Sequence, residues 1–299
     1  MQLEKLTMYN FQLEFNRFFN YFNIFLDKKI NSLSETAPKI IRDAMKYAVS
    51  DGGKRVRPVL CLATAEMLGV DFDLVKEYAL AIELIHSYSL VHDDLPSMDN
   101  DDYRRGKFST HKKFGEANGI LCGDALLNYS FEVCLSKDNY TMSDIDAMRI
   151  IADFAGYNGM IAGQVLDLEN EKNNYINEKD LYNIYHKKTA KLIIAPLLVS
   201  SCLANKKFYT ELKDFGYNLG IMFQIIDDLL DVEGDIVSIG KTPNKDSAKG
   251  KITSINLFGL KGAKERAKFH YDKCIDAIKH IPNNDFFVSF TKFMFERKK

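Results

Sequence analysis

An all-α fold is predicted by three observations. The chain has 299 residues but only six prolines; apolar residues recur at helical period over long stretches such as 74–95 and 144–168; and strand-like alternation is scarce. Taken in order, residues 9–25 are rich in Phe and Tyr and interrupted by Glu14 and Arg17, which reads as an amphipathic first helix packed on the body. Gly52-Gly53-Lys54-Arg55-Val56-Arg57-Pro58 is a glycine-led turn before a helix, with Pro58 suited to the first helical position. The run 74–95 is a long helix. Pro96 disfavours helical geometry at the residue before it, so this helix should end near Leu95 and a loop should carry Asp99 back toward Asp93. Residues 144–168 read as a further helical stretch and 215–226 as an apolar core run. Residues 285–299 place Phe286, Phe287, Phe290, Phe293 and Phe295 before Arg297-Lys298-Lys299, a pattern that fits either a packed terminal helix with a basic end or a membrane-surface helix. With 46% apolar residues, no linker-like break and no solenoid-length repeat, one domain over 1–299 is the simplest account.

Composition excludes several classes. A formal net charge of −1 gives no global field for nucleic acid or anionic membrane. Cys61, Cys122, Cys134, Cys202 and Cys274 show no CxxC spacing and lie in apolar contexts, which suits buried free thiols in a reducing compartment better than disulfides or zinc. No apolar run approaches a membrane span, and Glu4, Lys5, Glu14 and Arg17 interrupt the N-terminal region, unlike a signal peptide. The expectation is a cytoplasmic protein without a stable membrane anchor.

Two aspartate clusters carry the chemistry. Asp93-Asp94-Leu95-Pro96-Ser97-Met98-Asp99 and Asp227-Asp228-Leu229-Leu230-Asp231 each end a long apolar run. Carboxylates held together at the end of a buried face repel one another and call for a cation. Hard oxygen ligands point to Mg²⁺, whose shell water and phosphate oxygens complete. A lone Asp-Asp-x-x-Asp is usually a solvated helix face, but Asp227 and Asp231 share a face near Gln224 and follow a run apolar enough to be core.

Basic residues answer the acidic ones. Lys54, Arg55 and Arg57 sit on the glycine-led turn, where helix amides and guanidinium groups suit an anion. His86 precedes Asp93 by two helical turns on the same face, about 10 Å along the axis. Arg104-Arg105 follow the first cluster, and later come His186-Lys187-Lys188-Thr189, Gly240-Lys241, Lys245-Asp246 and Lys251. The sum is enough cationic groups for a second diphosphate beside the one the carboxylates would hold through metal.

These blocks resemble a known family. Gly53-Lys54-Arg55-x-Arg57-Pro58; Asp93-Asp94-x₄-Asp99 with Arg104-Arg105-Gly106; Phe114-Gly115-Glu116-Ala117-Asn118 with Gly123-Asp124-Ala125-Leu126; Gly163-Gln164-x₂-Asp167; Lys188-Thr189; and Phe223-Gln224-x₂-Asp227-Asp228-x₂-Asp231 resemble, in order and spacing, the trans-isoprenyl diphosphate synthases, and among them the bacterial farnesyl diphosphate synthase branch. The match runs from about residue 39 to 251. The resemblance implies a single-domain helical bundle of the isoprenoid synthase type around a central active-site cleft, a homodimer, and Mg²⁺-dependent head-to-tail condensation of isopentenyl diphosphate with an allylic diphosphate. It further implies that Asp93, Asp94 and Asp99 hold two Mg²⁺ ions and Asp227, with Asp228 and Asp231, a third. Arg104, Lys188 and Lys241 would contact the allylic diphosphate, with Gln224 and Thr189 lining its pocket and Lys251 among the substrate-binding cations. Lys54, Arg57, His86 and Arg105 would hold isopentenyl diphosphate, and in this family a basic tail such as Arg297-Lys298-Lys299 can also fold over it. Asp167 and Asp246 would orient lysines or metal-bound waters.

Product length rests on the same resemblance. The growing chain would run between helices onto Tyr88, followed by Ser89, and a tyrosine there favours stopping at fifteen carbons. The stretch from Met98 to Lys107 is also like that of geranylgeranyl synthases of the plant type, so a twenty-carbon (or a ten-carbon) product is the alternative. A class I terpene cyclase would not need the Lys54/Arg57/His86 set, and a non-catalytic subunit of a heteromeric prenyltransferase would usually lose an aspartate motif.

Overall fold

The computed structural model describes residues 10–50, 53–171, 175–233 and 252–297. Asn10 starts α1 (Phe11–Asn31) by accepting from the Leu13 amide, and Phe18, Phe22, Leu26 and Ile30, four residues apart, bury one face. Helices α2 (Lys39–Ser50), α3 (Val56–Leu68) and α4 (Phe72–Asp93) follow. Because α3 begins at Val56, Pro58 is its third residue and not its first. An amide missing anywhere in the first turn has no intrahelical acceptor to lose, so the shift is tolerated.

The end of α4 matches its prediction. Asp93 closes the helix, and the Asp99 amide donates to the Asp93 carbonyl at 2.7 Å while Asn100, in the left-handed region, donates to Leu95 at 3.0 Å. A hairpin outside the all-helical reading comes next, β1 (Tyr103–Arg104) against β2 (Lys107–Phe108), closed by Arg105 and Gly106 with φ of 52° and 77°. Two consecutive positive φ values are the requirement of a tight hairpin turn.

Helices α5 (Thr110–Phe114), α6 (Glu116–Cys134), α7 (Met142–Ala155) and α8 (Met160–Asn170) lead on. The predicted stretch 144–168 is therefore two helices, broken at Gly156-Tyr157-Asn158-Gly159 although the apolar period continues across the break. Then come α9 (Glu178–Tyr185), a π-helical segment (His186–Ala190), α10 (Lys191–Leu203), α11 (Tyr209–Glu233), α12 (Ser254–Ile278) and α13 (Asp285–Phe295).

Helix α10 is buried all round from residue 191 to 202, as a helix apolar on every side must be. It packs on α3, α4, α7 and α11, while α4 lies against α6 and α11 against α12. A continuous apolar core runs from Phe18 to Met294. Phe286, Phe287 and Phe290 seat α13 on this body, the packed alternative for the C-terminal stretch. All five cysteines are buried and unpaired, as expected. Among the described residues no helix is long and apolar enough to cross a membrane.

Candidate active site

The ends of α4, α11 and α13, the start of α3, the π segment and one face of α8 enclose a cavity of about 710 Å³. Two glycines let the walls close. A side chain at Gly163 would come within 2.2 Å of the Lys188 amide nitrogen, and one at Gly220 within 2.4 Å of the Ala190 Cα, so α8 and α11 press directly on the π segment. Such segments recur at functional sites because the extra residue re-aims its neighbours. Here it brings Lys188 and Thr189 to the cavity.

Eleven of the residues singled out from sequence line this one space: Lys54, Arg57, His86, Tyr88, Ser89, Asp93, Arg105, Lys188, Thr189, Gln224 and Asp227. The cationic side is strongly desolvated. Burial, followed by the charges of Arg57, Arg105 and Arg104, holds the His86 imidazole well below its usual pKa and therefore neutral. Burial also pulls the Arg57 guanidinium down to about 10 against the partial support of Glu83, and lowers Arg105 and Lys54. The Arg57 Nε is buried without a hydrogen-bond partner among the described residues. Burial disfavours the charged forms of these groups, and an incoming anion would favour them again. Arg55 plays another part: it is buried at the left-handed start of α3, paired with Glu83 at 2.8 Å and bonded to Asn23 and Val49.

The acidic side divides. Burial, opposed by Lys188 and reinforced by Asp99, raises the Asp93 carboxyl to about 6. Asp94 instead turns away: it is 2% exposed, accepts from Arg104 Nε at 2.9 and 3.0 Å, and with Arg104 lines a small separate cavity beside Tyr47 and Phe108. Asp228 likewise faces inward, accepting from the Ser254 amide at 2.9 Å, the Ser254 hydroxyl at 2.7 Å and the Tyr185 hydroxyl. Consecutive helical residues point about 100° apart, so one member of each Asp-Asp pair cannot reach the cavity its neighbour faces. Asp94, Asp99, Arg104, Asp228 and Asp231, also singled out from sequence, are not among the residues that line this cavity. Lys241, Lys245, Asp246 and Lys251 lie outside the described residues.

Among the described residues no group of three or more His, Cys, Asp or Glu side chains converges as a metal cage. The pattern suits Mg²⁺ all the same. That ion takes one or two carboxylates and completes its octahedron with water and substrate phosphate; Asp93, raised by burial, would gain from such a cation, and Asp227 already meets a positive group, the Arg297 guanidinium.

Behind the lining, Asp167 accepts from Lys188 Nζ at 2.6 Å, the lysine-orienting contact expected of it. The Thr189 hydroxyl donates to Gln224 Oε1 at 2.9 Å, and Gln224 Nε2 reaches Asp228 at 3.3 Å. The buried Asp228 thereby steadies two cavity residues from outside.

Residues 38–283 match the family model described as polyprenyl synthetase. The chain belongs to that family. It is 38% identical to the farnesyl diphosphate synthase of Micrococcus luteus over 303 residues, covering 100% of both chains. It is 42% identical to that of Geobacillus stearothermophilus over 253 residues, covering 83% of this chain and 84% of the relative. The solved geranyltransferase of Helicobacter pylori, complexed with magnesium and isoprenyl diphosphate, superposes with a TM-score of 0.82 at 31% identity over 97% of each chain.

This polyprenyl synthetase also has a cavity residue whose partner the sequence did not show. Arg297, just beyond α13, donates to the Phe223 carbonyl at 3.0 Å, bonds Asp227 and lies over the Phe223 ring at 4.1 Å. Its signal was the basic end after the Phe-rich run, which marks a charge near the body but not the carboxylate it meets.

Proposed function

We propose that this protein joins isopentenyl diphosphate head-to-tail (1'-4) to dimethylallyl and then geranyl diphosphate, releasing farnesyl diphosphate and diphosphate. The observation that carries this is one cavity lined both by the carboxylates Asp93 and Asp227 and by a desolvated basic set at Lys54, Arg57, His86 and Arg105.

Asp93 with Asp99, and Asp227 with Asp231, would hold three Mg²⁺ ions together with the allylic diphosphate, Asp94 and Asp228 bracing them from behind. When bound, Mg²⁺ supplies electrostatic stabilisation of the charge on the departing diphosphate. Lys188, poised on Asp167, adds a cation at the same end, with Arg104 and Lys241 assigned there by resemblance. Lys54, Arg57 and Arg105 fix the second diphosphate, and neutral His86 can donate one hydrogen bond to it without adding to the crowded positive charge. The two substrates are thus oriented with the double bond of one against the allylic carbon of the other. The chain's apolar wall, from Met160, Ile161, Val165, Leu168, Ile193 and Phe223, shelters the allylic cation from water until the released diphosphate takes the proton. No protein nucleophile is required.

Tyr88 would stop the chain at fifteen carbons, with geranylgeranyl diphosphate as the second reading. Residues 1–299 would form one synthase domain in a cytoplasmic homodimer, for which the exposed Ile120, Leu121 and Phe131 of α6, with Leu135 just after it, offer an apolar face. The deciding experiment incubates the purified protein with Mg²⁺, isopentenyl diphosphate and either allylic diphosphate. Formation of farnesyl diphosphate, lost in Asp93→Ala, supports the reading; no condensation with either substrate overturns it. Sedimentation as a stable, active monomer would remove the dimer.

A further inference from the structure

Tyr88 and His92 are four residues apart on the flank of α4 that meets α6. Their rings touch edge to face, with centroids 5.8 Å apart at 76°, and both line the cavity. The Tyr88 hydroxyl is buried without a hydrogen-bond partner among the described residues, so packing and not polarity holds that ring in place. His92 is held more firmly. Its Nε2 lies 3.0 Å from the Ile120 carbonyl of α6, to which it must be the donor, and 3.9 Å from the Asp124 carboxylate. Between those two residues α6 carries Gly123, where any Cβ would stand 2.0 Å from the same Nε2. The glycine is a niche cut for the imidazole.

We propose that His92, seated in the Gly123 niche, is a product-length determinant that acts by positioning the Tyr88 ring across the cavity. This rests on the reading of Tyr88 as the floor. A tyrosine whose hydroxyl is unanchored stops a growing chain only if its neighbours deny it another rotamer, and the imidazole occupies the space into which it would swing. Deleting the imidazole leaves a void close in heavy-atom count to one isoprene unit beside the Tyr88 ring, into which that ring could turn. Inserting a methyl at Gly123 pushes the imidazole the other way, toward Tyr88.

The test measures the ratio of twenty- to fifteen-carbon product from the full chain at fixed dimethylallyl and isopentenyl diphosphate with Mg²⁺, for wild type, Tyr88→Ala, His92→Ala, His92→Phe and Gly123→Ala. A ratio compares products of the same molecules, so a general loss of folded protein leaves it in place. His92→Ala should raise it about tenfold, the scale of a small change in apolar pocket volume. His92→Phe, which keeps a ring beside Tyr88, should not raise it, and Gly123→Ala should shift it toward shorter products. An unchanged ratio in His92→Ala beside a raised one in Tyr88→Ala overturns the proposal and leaves the floor reading standing. Equal lengthening by His92→Phe and His92→Ala also overturns it. An unchanged ratio in Tyr88→Ala defeats the floor reading itself, and the proposal with it.

Discussion

At the end of α4, Asp93 faces the cavity and Asp94 is locked behind it by the Arg104 guanidinium of the hairpin; on α11, Asp227 faces the cavity and Asp228 is locked behind it by Tyr185 and Ser254. The alternation is the same, because helical geometry separates neighbours by about 100°. The partners differ. One rear carboxylate is neutralised by a charge, the other by hydroxyl and amide donors, and the two front carboxylates differ in turn: burial raises the Asp93 carboxyl to about 6, whereas Asp227 already has Arg297 as a counter-cation. A pair of identical residues in sequence is thus one working group and one brace.

The widest separation expected is between front and rear. Asp93→Ala and Asp227→Ala should each lower turnover by at least about 10²-fold, the scale of losing one transition-state stabiliser, while the helical fold is retained. Retained turnover in either would place the metal elsewhere. The rear pair should separate the two clusters by stability. Asp94→Ala strands a half-buried guanidinium and should cost about 3–5 kcal/mol, whereas Asp228→Ala strands neutral donors and should cost about 1–3 kcal/mol. Urea unfolding of the metal-free proteins measures both; a smaller loss for Asp94→Ala than for Asp228→Ala would reverse the assignment of charge to the first brace.

What was legible in the sequence follows the same division. The end of α4 could be read because an apolar run meets Pro96, a local steric rule, and the returning loop to Asp99 follows from it. The break between α7 and α8 could not, because the apolar period carries across Gly156 and Gly159 and periodicity alone outvotes two glycines. The front carboxylates and the cations of the cavity were legible from spacing and family resemblance. The partners of Asp94 and Asp228 were not: Tyr185 and Ser254 are ordinary residues whose role exists only once α9 and α12 pack on α11. Arg297 was hidden for the same reason, lying seventy positions from the carboxylate it meets.

A pH experiment sharpens the contrast between the two front carboxylates. Because the Asp93 pKa is raised from 3.8 to about 6 in the fold, the folded protein binds this proton more tightly than the unfolded chain. Its contribution to stability is fully present below pH 3.8 and is lost as pH rises through about 6. Asp93→Asn, neutral throughout, should match wild type near pH 4 and exceed it in metal-free stability at pH 7 to 8, on the order of 2–3 kcal/mol. Saturating Mg²⁺ should erase the advantage for wild type's rival, since the ion stabilises the carboxylate that the mutant lacks. Equal unfolding midpoints of the two proteins at every pH would show that Asp93 is not strained by its burial.

The smallest effect expected belongs to Arg297. Its guanidinium occupies a position on Asp227 that a divalent cation would also seek; the arginine side chain is 7% exposed but the carboxylate 39%, and solvent screening from the carboxylate side holds the pair to roughly 1 kcal/mol. Competition of that size predicts that Arg297→Ala tightens Mg²⁺ binding to the substrate-free protein by no more than about fivefold, because 1 kcal/mol is close to that ratio. Arg297→Lys, which keeps the charge, should stay near wild type. Calorimetric titration of the three proteins with Mg²⁺ reads the difference directly, without turnover. Weaker Mg²⁺ binding in Arg297→Ala would mean that the arginine holds Asp227 in place for the metal and does not stand in for it, and the second cluster would then be braced from the front as well as from behind.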